Sequence, residues 1–187
     1  YWRDWSSDVC SSDLGIYADG TLGSGGHAAA VLRASGPTGW LFGCDRDGAA
    51  LEAAGARLAA EFAGRFELRR GNFAELPDWV PAGRCDGVLL DLGVSSPQLD
   101  WAERGFSFQH DGPLDMRMDT RQALTAAELV NSASAEELTK IFRDYGDEPE
   151  ARRMARAIER DRQVRRFATT RQLAELIERI APRHGRK

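Results

Sequence analysis

The first half of the chain alternates short apolar runs with helix-forming segments. Four apolar, β-prone runs predict strands at 15–19, 39–45, 66–70 and 85–91. Segments rich in helix formers separate the first three of these runs, at 26–35 and 47–60. Strands that alternate with helices at this spacing favour a parallel sheet with right-handed crossovers. The pattern therefore predicts an α/β fold for this part of the chain.

From about residue 121 onward, apolar positions recur with the period of an α-helix instead. The first apolar stripe contains Leu138, Ile141, Phe142 and Tyr145. Two further stripes lie at 154–158 and 173–180. Thr125 and Ser134 each begin a capping box, and Thr170 is expected to cap the last helix. These features predict a small bundle of amphipathic helices over 121–187.

A polar segment at 92–120 without a clear helix joins the two parts. Segments of this length are usually functional, and its aromatic residues argue against disorder, so it is expected to form a lid or a substrate wall. We assign it to a first domain at 15–120, followed by a helical domain at 121–187. Residues 1–14 lack any apolar period and contain a near-repeat, so we interpret them as a non-native leader and exclude them.

The turn after the first predicted strand is rich in glycine. Asp19 ends the strand, four glycines follow before residue 27, and the second predicted strand ends at Asp45. Glycines let a ligand approach the backbone, and the start of the next helix offers unbonded N–H groups. An acid in the position of Asp45 can accept hydrogen bonds from both hydroxyls of a ribose. The pattern predicts a pocket for a cofactor that contains a nucleoside.

Two cofactors fit this spacing. The segment from Gly23 to Ala28 matches the dinucleotide fingerprint G-x-G-x-x-A, with Asp45 about 20 residues beyond its second glycine. The segment from Asp19 to Gly25 also matches the acidic, glycine-rich first motif of S-adenosylmethionine enzymes, with Thr21 in place of one glycine. The acid at 19 favours the second cofactor, because it suits an ammonium group better than a pyrophosphate.

Composition bears on cellular location, on the state of the cysteines and on metal binding. No apolar run approaches the roughly 20 residues that span a bilayer, and no secretory signal is visible, so we expect a cytoplasmic protein. The three cysteines show neither metal spacing nor even pairing and are expected to be free thiols. Two acids in a loop, Asp115 and Asp119, are a weak metal signal, and we predict no metal.

Basic residues outnumber acidic ones over 121–187, whereas acidic residues prevail over 1–120. Arginines crowd the stretch 152–166 and are candidates to contact the phosphates of RNA. Acids in the same region, such as Glu150 and Asp161, are equally placed to neutralise them along a helix. The sequence leaves both interpretations open.

The polar segment carries the most specific pattern. Its stretches 91–100, 103–108 and 111–119 resemble the bacterial ribosomal-RNA methyltransferase family called RsmH or MraW. The similarity continues to 173 and covers the chain from about 15 to 187. The resemblance implies a Rossmann-like class I methyltransferase domain interrupted by an all-helical insertion. Because that family continues with further strands, the parallel sheet is expected to be incomplete here.

The resemblance also implies an activity, the transfer of a methyl group from S-adenosyl-L-methionine to the exocyclic amino nitrogen of a cytidine in small-subunit ribosomal RNA. The cofactor contacts it implies are Gly25, Gly26, His27, Asp45, Phe73, Asp91 and Gln98. In that correspondence Asp45 takes the ribose, Phe73 lies against the adenine, and Asp91 and Gln98 close the pocket.

A cytosine amino group is a poor nucleophile because its lone pair is delocalised into the ring. A nearby polar acceptor would help by taking the proton as charge develops. Asp91 is our candidate for this catalytic role, with a purely cofactor-binding role as the alternative. Two other functions stay open at this point, a nicotinamide-dependent oxidoreductase built on the same βαβ unit and a non-catalytic RNA-binding fragment.

Overall fold

The computed structural model describes residues 15–182, so the leader proposed at 1–14 lies outside the described part of the chain. Within that part, four strands form one parallel sheet: β1 Ile16–Asp19, β2 Trp40–Asp45, β3 Phe66–Arg70 and β4 Gly87–Leu89. Their order in the sheet is β3-β2-β1-β4. The predicted α/β fold with a parallel sheet is confirmed.

The last strand is shorter than the run predicted at 85–91. It pairs with Tyr17–Asp19 of β1, and β1 itself ends at Asp19 because the chain turns at Gly20. The amide of Gly20 donates to the carbonyl of Leu89 at 3.0 Å, which closes the ladder there. Asp91 therefore follows the strand rather than ending it.

The α-helices of this part of the fold are α1 Gly26–Ala34 and α2 Gly48–Phe62. The helix α2 begins at Asp47, whose side chain accepts the amide of Ala49 at 3.1 Å, as an N-cap acid should. A core of buried side chains fills the space between these helices and the sheet, including Leu32, Leu41 and Leu58.

Contacts between residues divide the described chain into two compact units. The first contains 15–93 with 118–120, and the second contains 94–117 with 121–182. This grouping places most of the polar segment with the helices, whereas the sequence assigned it to the first domain. The domain boundary after residue 120 stays a prediction.

The second unit is helical. Its helices are α3 Ser96–Asp100, α4 Ala126–Ser132, α5 Ala135–Asp144, α6 Ala151–Asp161 and α7 Thr170–Ile180. The predicted capping boxes at Thr125 and Ser134 begin α4 and α5. Leu138, Ile158 and Leu176 are buried at its core, as the amphipathic pattern requires.

Three expectations for this unit are wrong in detail. Thr169, not Thr170, caps α7, because its side chain accepts the amide of Gln172, while Thr170 is buried and its hydroxyl accepts the amide of Gly112 at 3.4 Å. Tyr145 leaves the apolar stripe and is 83% exposed, since α5 ends at the preceding residue. The polar segment also contains a short helix, α3, that its composition did not indicate.

Two aromatic residues of the polar segment line a cavity within this unit. Phe106 and Phe108 line a cavity of about 220 Å³ together with Leu173 and Ile177 of α7. The described helices include none that is both long and apolar enough to cross a bilayer.

Candidate functional site

The glycine-rich turn after β1 is anchored to the strands on both sides of it. Gly20 donates to Leu89 of β4 at 3.0 Å, and Leu22 donates to Cys44 of β2 at 3.1 Å. A further backbone bond within the turn, from Gly25 to Leu22 at 2.8 Å, closes it. The loop is therefore held at the carboxyl edge of the sheet, where ligands of open α/β sheets bind.

Gly25 is the N-cap of α1 and has a φ of 76°, which a residue with a side chain rarely adopts. A Cβ at this position would also lie 3.1 Å from that of Ala54, so glycine lets α1 and α2 approach each other. The helix start has no side-chain cap, and the amides of Gly26 and His27 have no acceptor among residues 15–182. These groups remain available to an acceptor on a ligand.

Asp45, at the end of β2, has its carboxylate fixed by the backbone. One oxygen, Oδ2, accepts the amide of Gly23 at 2.8 Å, and the other, Oδ1, accepts the amide of Asp47 at 2.8 Å. An ionised carboxylate has about four acceptor positions, so two lone pairs remain for other donors. The arrangement orients an acceptor pair beside the glycine loop.

Asp19 is the most perturbed group of the loop. It is only 1% exposed, its Oδ1 accepts the amide of Thr21 at 3.0 Å, and its Oδ2 is buried with no hydrogen-bond partner. Burial raises its pKa from 3.8 to about 6. The hydrogen bond from Thr21 and the proximity of His27 oppose this rise, while Asp45 and Asp91 add to it. A buried carboxylate oxygen without a donor is costly and calls for a partner.

The side chains of His27 and Asp91 lie close to each other beside the glycine loop. The Nδ1 atom of His27 lies 3.8 Å from a carboxylate oxygen of Asp91, and both side chains are more than half exposed. The amide of Asp91 donates to the hydroxyl of Thr21 at 2.6 Å. Thr21 thus ties the segment after β4 to the glycine loop, a role that the sequence analysis missed. Its presence where the first motif has a glycine was the available signal.

Phe73 begins a short 3₁₀ helix, Phe73–Asp78, immediately after β3. Asn72 and Glu75 form a capping box that fixes this helix start. The ring is 39% exposed, and a Cβ at Gly20 would lie 2.7 Å from the Cβ of Phe73. The absent side chain at Gly20 therefore allows an exposed aromatic residue to stand directly beside the loop.

Gln98 belongs to the second unit, and the other six predicted cofactor contacts belong to the first. Gln98 is buried, and its side-chain oxygen accepts the amide of Ser95 at 3.0 Å in the capping box of α3. This structural role was not foreseen, and the proposed contact of Gln98 with a cofactor stays a prediction.

The acids considered as weak metal candidates are engaged in ion pairs. Asp115 binds Arg117 at 2.7 Å, and Asp119 binds Arg70 at 2.8 Å. Over residues 15–182, no group of three or more His, Cys, Asp or Glu side chains is arranged to hold a metal ion.

The loop as a whole offers a defined set of chemical groups to a ligand. It has open amides at a helix start, a fixed acceptor pair on Asp45, a buried carboxylate oxygen of Asp19 without a hydrogen-bond partner and the exposed side chain of Phe73. These suit an anionic group, a diol, a cationic donor and a planar ring respectively.

The sequence is similar to proteins of one known family. A profile of the MraW methylase family matches residues 8–187. Proteins named ribosomal RNA small subunit methyltransferase H are similar to the chain: 55% identical over 170 residues in Syntrophotalea carbinolica, 52% over 172 in Geotalea daltonii and 51% over 174 in Shewanella baltica. These matches cover 89–90% of the chain and 54–55% of each relative, so the chain spans about half the length of the curated relatives it matches. The chain belongs to the MraW methylase family.

Proposed function

We propose that the chain forms the cofactor-binding part of an S-adenosylmethionine-dependent methyltransferase that acts on the exocyclic amino group of a cytidine in small-subunit ribosomal RNA. The observation that carries the proposal is the glycine loop with Asp19, Asp45 and Asp91 grouped around it at one edge of the sheet. The names of the relatives support the RNA substrate and the methyl transfer.

The groups of the loop fit this cofactor. Asp45 would receive the two ribose hydroxyls on the lone pairs that its backbone bonds leave unused. Phe73 would stand against the adenine, and the amides of Gly26 and His27 would receive the carboxylate of the methionine moiety. The unsatisfied oxygen of Asp19 would accept its ammonium group.

Charge argues against the nicotinamide alternative. A dinucleotide would bring a pyrophosphate close to the carboxylates of Asp19, Asp45 and Asp91 around the glycine loop, and like charges at short range repel. Burial is the main cause that raises the pKa of Asp19, and the nearby carboxylates of Asp45 and Asp91 add to the rise. A cationic group of the cofactor would be attracted to these carboxylates, whereas a pyrophosphate would not.

When bound, S-adenosylmethionine supplies an electrophilic methyl group on a positively charged sulfur. The side chain of Asp91 is exposed beside the glycine loop, and its backbone amide is held by the hydroxyl of Thr21. In this position it would accept the proton that the amino group of the base loses. His27, whose Nδ1 lies 3.8 Å from that carboxylate, would contact the cofactor.

Calorimetric titration of the 187-residue chain with S-adenosylmethionine, and with NAD as the comparison, tests cofactor choice. We expect saturable heat with S-adenosylmethionine only, and binding at least about tenfold weaker in Asp45→Asn, since two charge-assisted hydrogen bonds are weakened. Asp78→Asn, an exposed acid outside the loop, is the matched control and should bind normally. Heat with NAD alone would refute the proposed cofactor.

The role of Asp91 needs a separate measurement of binding and of turnover. Methyl incorporation into small-subunit ribosomal RNA should fall by at least about a hundredfold in Asp91→Asn if the group takes the proton. Binding of S-adenosylmethionine by the same variant should then be retained. Loss of binding together with activity would assign Asp91 to the cofactor alone, and unchanged turnover would remove it from both roles.

A further inference from the structure

Some exposed arginines of α6 form ion pairs and others do not. Arg153 forms an ion pair with Glu150 at 2.6 Å, and Arg160 forms one with Asp161 at 2.8 Å. Arg152 and Arg156 are also exposed, yet neither side chain forms a hydrogen bond or an ion pair with any residue in 15–182. On α6, acids therefore pair with Arg153 and Arg160 and leave Arg152 and Arg156 without an ion pair.

The acid that lies closest along the helix to Arg156 is also engaged. The carboxylate of Glu159 accepts the amide of Ala135 at the start of α5, at 3.3 Å. Arg152 and Arg156 are one helical turn apart, which places their Cβ atoms about 6 Å from each other. Like charges at this spacing destabilise a helix, so folding alone does not account for the pair. Two long cationic side chains on one face suit successive phosphates of a polyanion.

An exposed aromatic ring lies at the end of the same helical hairpin. Tyr145 follows α5 and is 83% exposed, and the turn that leads on to α6 is fixed by a bond from the amide of Glu148 to the carbonyl of Phe142 at 3.1 Å. The ring makes no hydrogen bond and no contact with another ring among the described residues. Exposed aromatic side chains can stack on unpaired bases while cationic side chains contact the phosphates of the same strand.

We propose that Arg152, Arg156 and Tyr145 form a binding surface for single-stranded RNA, which we call the arginine–tyrosine surface. The guanidinium groups contact phosphates, and the ring stacks on a base. Charge complementarity identifies a polyanion as the occupant, and the aromatic ring identifies one that has bases. The inference rests on the proposed function, because it assigns part of the RNA substrate to this surface.

Binding of a short, fluorescein-labelled single-stranded oligoribonucleotide to the 187-residue chain, measured by anisotropy over a range of salt concentrations, tests the surface. Each phosphate contact contributes about 0.7 to the slope of log affinity against log salt for single strands. The double variant R152Q/R156Q should therefore lower that slope by about 1.4. Tyr145→Ala should weaken binding at least about fivefold and leave the slope unchanged.

The matched control is R153Q/R160Q, which removes the same charge from the same helix at positions that are already ion-paired. It should leave the slope unchanged. An equal loss in both double variants would show that only net charge matters, and this would overturn the proposal. Normal binding by Tyr145→Ala, or competition by polyphosphate as strong as by unlabelled RNA, would replace it with a general polyanion site.

Calorimetry with S-adenosylmethionine on the same variants separates this proposal from the proposed function. R152Q/R156Q should bind the cofactor as the parent chain does, because the variant changes only exposed residues of α6. RNA binding that depends on the surface in a chain that binds no cofactor would leave the surface standing and reject the methyltransferase. If the parent chain binds the cofactor but no RNA, the methyltransferase proposal stands and the arginine–tyrosine surface is rejected.

Discussion

Replacing Asp19 with asparagine should stabilise the protein at neutral pH. The side chain is 1% exposed, and burial raises its pKa from 3.8 to about 6. Each pH unit between these two values corresponds to about 1.4 kcal/mol, so holding the ionised form in the fold costs about 3 kcal/mol above pH 6. Asparagine is close in shape to the protonated acid and avoids this cost.

The sign follows from proton linkage. Between pH 3.8 and 6 the folded chain binds a proton at Asp19 that the unfolded chain has released, so this group lowers stability as pH rises through that interval. Below the interval both states are protonated, and above it the cost is constant. The difference between Asp19→Asn and the parent chain should therefore grow from near zero at about pH 4 to about 3 kcal/mol at pH 7.

Urea denaturation at several pH values measures this difference, and carboxylates elsewhere in the chain cancel when the two curves are subtracted. Asp78→Asn, which replaces an exposed acid of the same unit, is the control variant. A difference that stays constant between pH 4 and 7, or a variant that is less stable at pH 7, would refute the reasoning. Asp19→Asn should also bind S-adenosylmethionine more weakly. That result would show that the acid is kept at position 19 for binding, although burying it lowers stability.

Three further substitutions test other features of the fold by urea denaturation. Gly25→Ala should lower the free energy of unfolding by about 2 kcal/mol, because its φ of 76° and the 3.1 Å approach of Ala54 leave no room for a Cβ, and an unchanged value would contradict this. Leu138→Ala should cost about 2–5 kcal/mol, since the side chain is fully buried, and a loss below 1 kcal/mol would show that the core is not packed around it. Asp115→Asn should destabilise the protein at neutral pH, because hydrogen bonds from the Arg117 guanidinium hold the pKa of Asp115 below 3.8. That loss should shrink as the parent chain is protonated below about pH 4, and a loss independent of pH would exclude the ion pair as its cause.

Features that depend on local sequence were predictable. The capping boxes at Thr125 and Ser134 define helix starts within a few residues, so their pattern identifies α4 and α5 directly. The glycines after β1 likewise predict a turn, and the acids Asp19 and Asp45 predict hydrogen-bond acceptors next to it. The parallel sheet follows from the alternation of strands and helices.

Features that depend on tertiary contacts could not be predicted from the sequence. Thr169 and Thr170 are both good caps, and only the burial of Thr170 beside Gly112 decides between them. The exposure of Tyr145 depends on where α5 stops, which periodicity does not fix to one residue. The unsatisfied oxygen of Asp19 is visible only once the strands around it are assembled.

The strand order has a consequence for the route by which the protein folds. The central strand β1 is the first in the chain, yet its partner β4 arrives only after β2 and β3, and the bond between Ile16 and Asp86 joins residues 70 positions apart. Contacts between distant residues cost more chain entropy and form late. We therefore expect β1, β2 and β3 to associate first and β4 to dock last. Asp19 and Asp45 would then come close to each other early in folding. Asp91 would reach its position beside them only when β4 pairs with β1, so the group of three acids around the glycine loop forms in the last step.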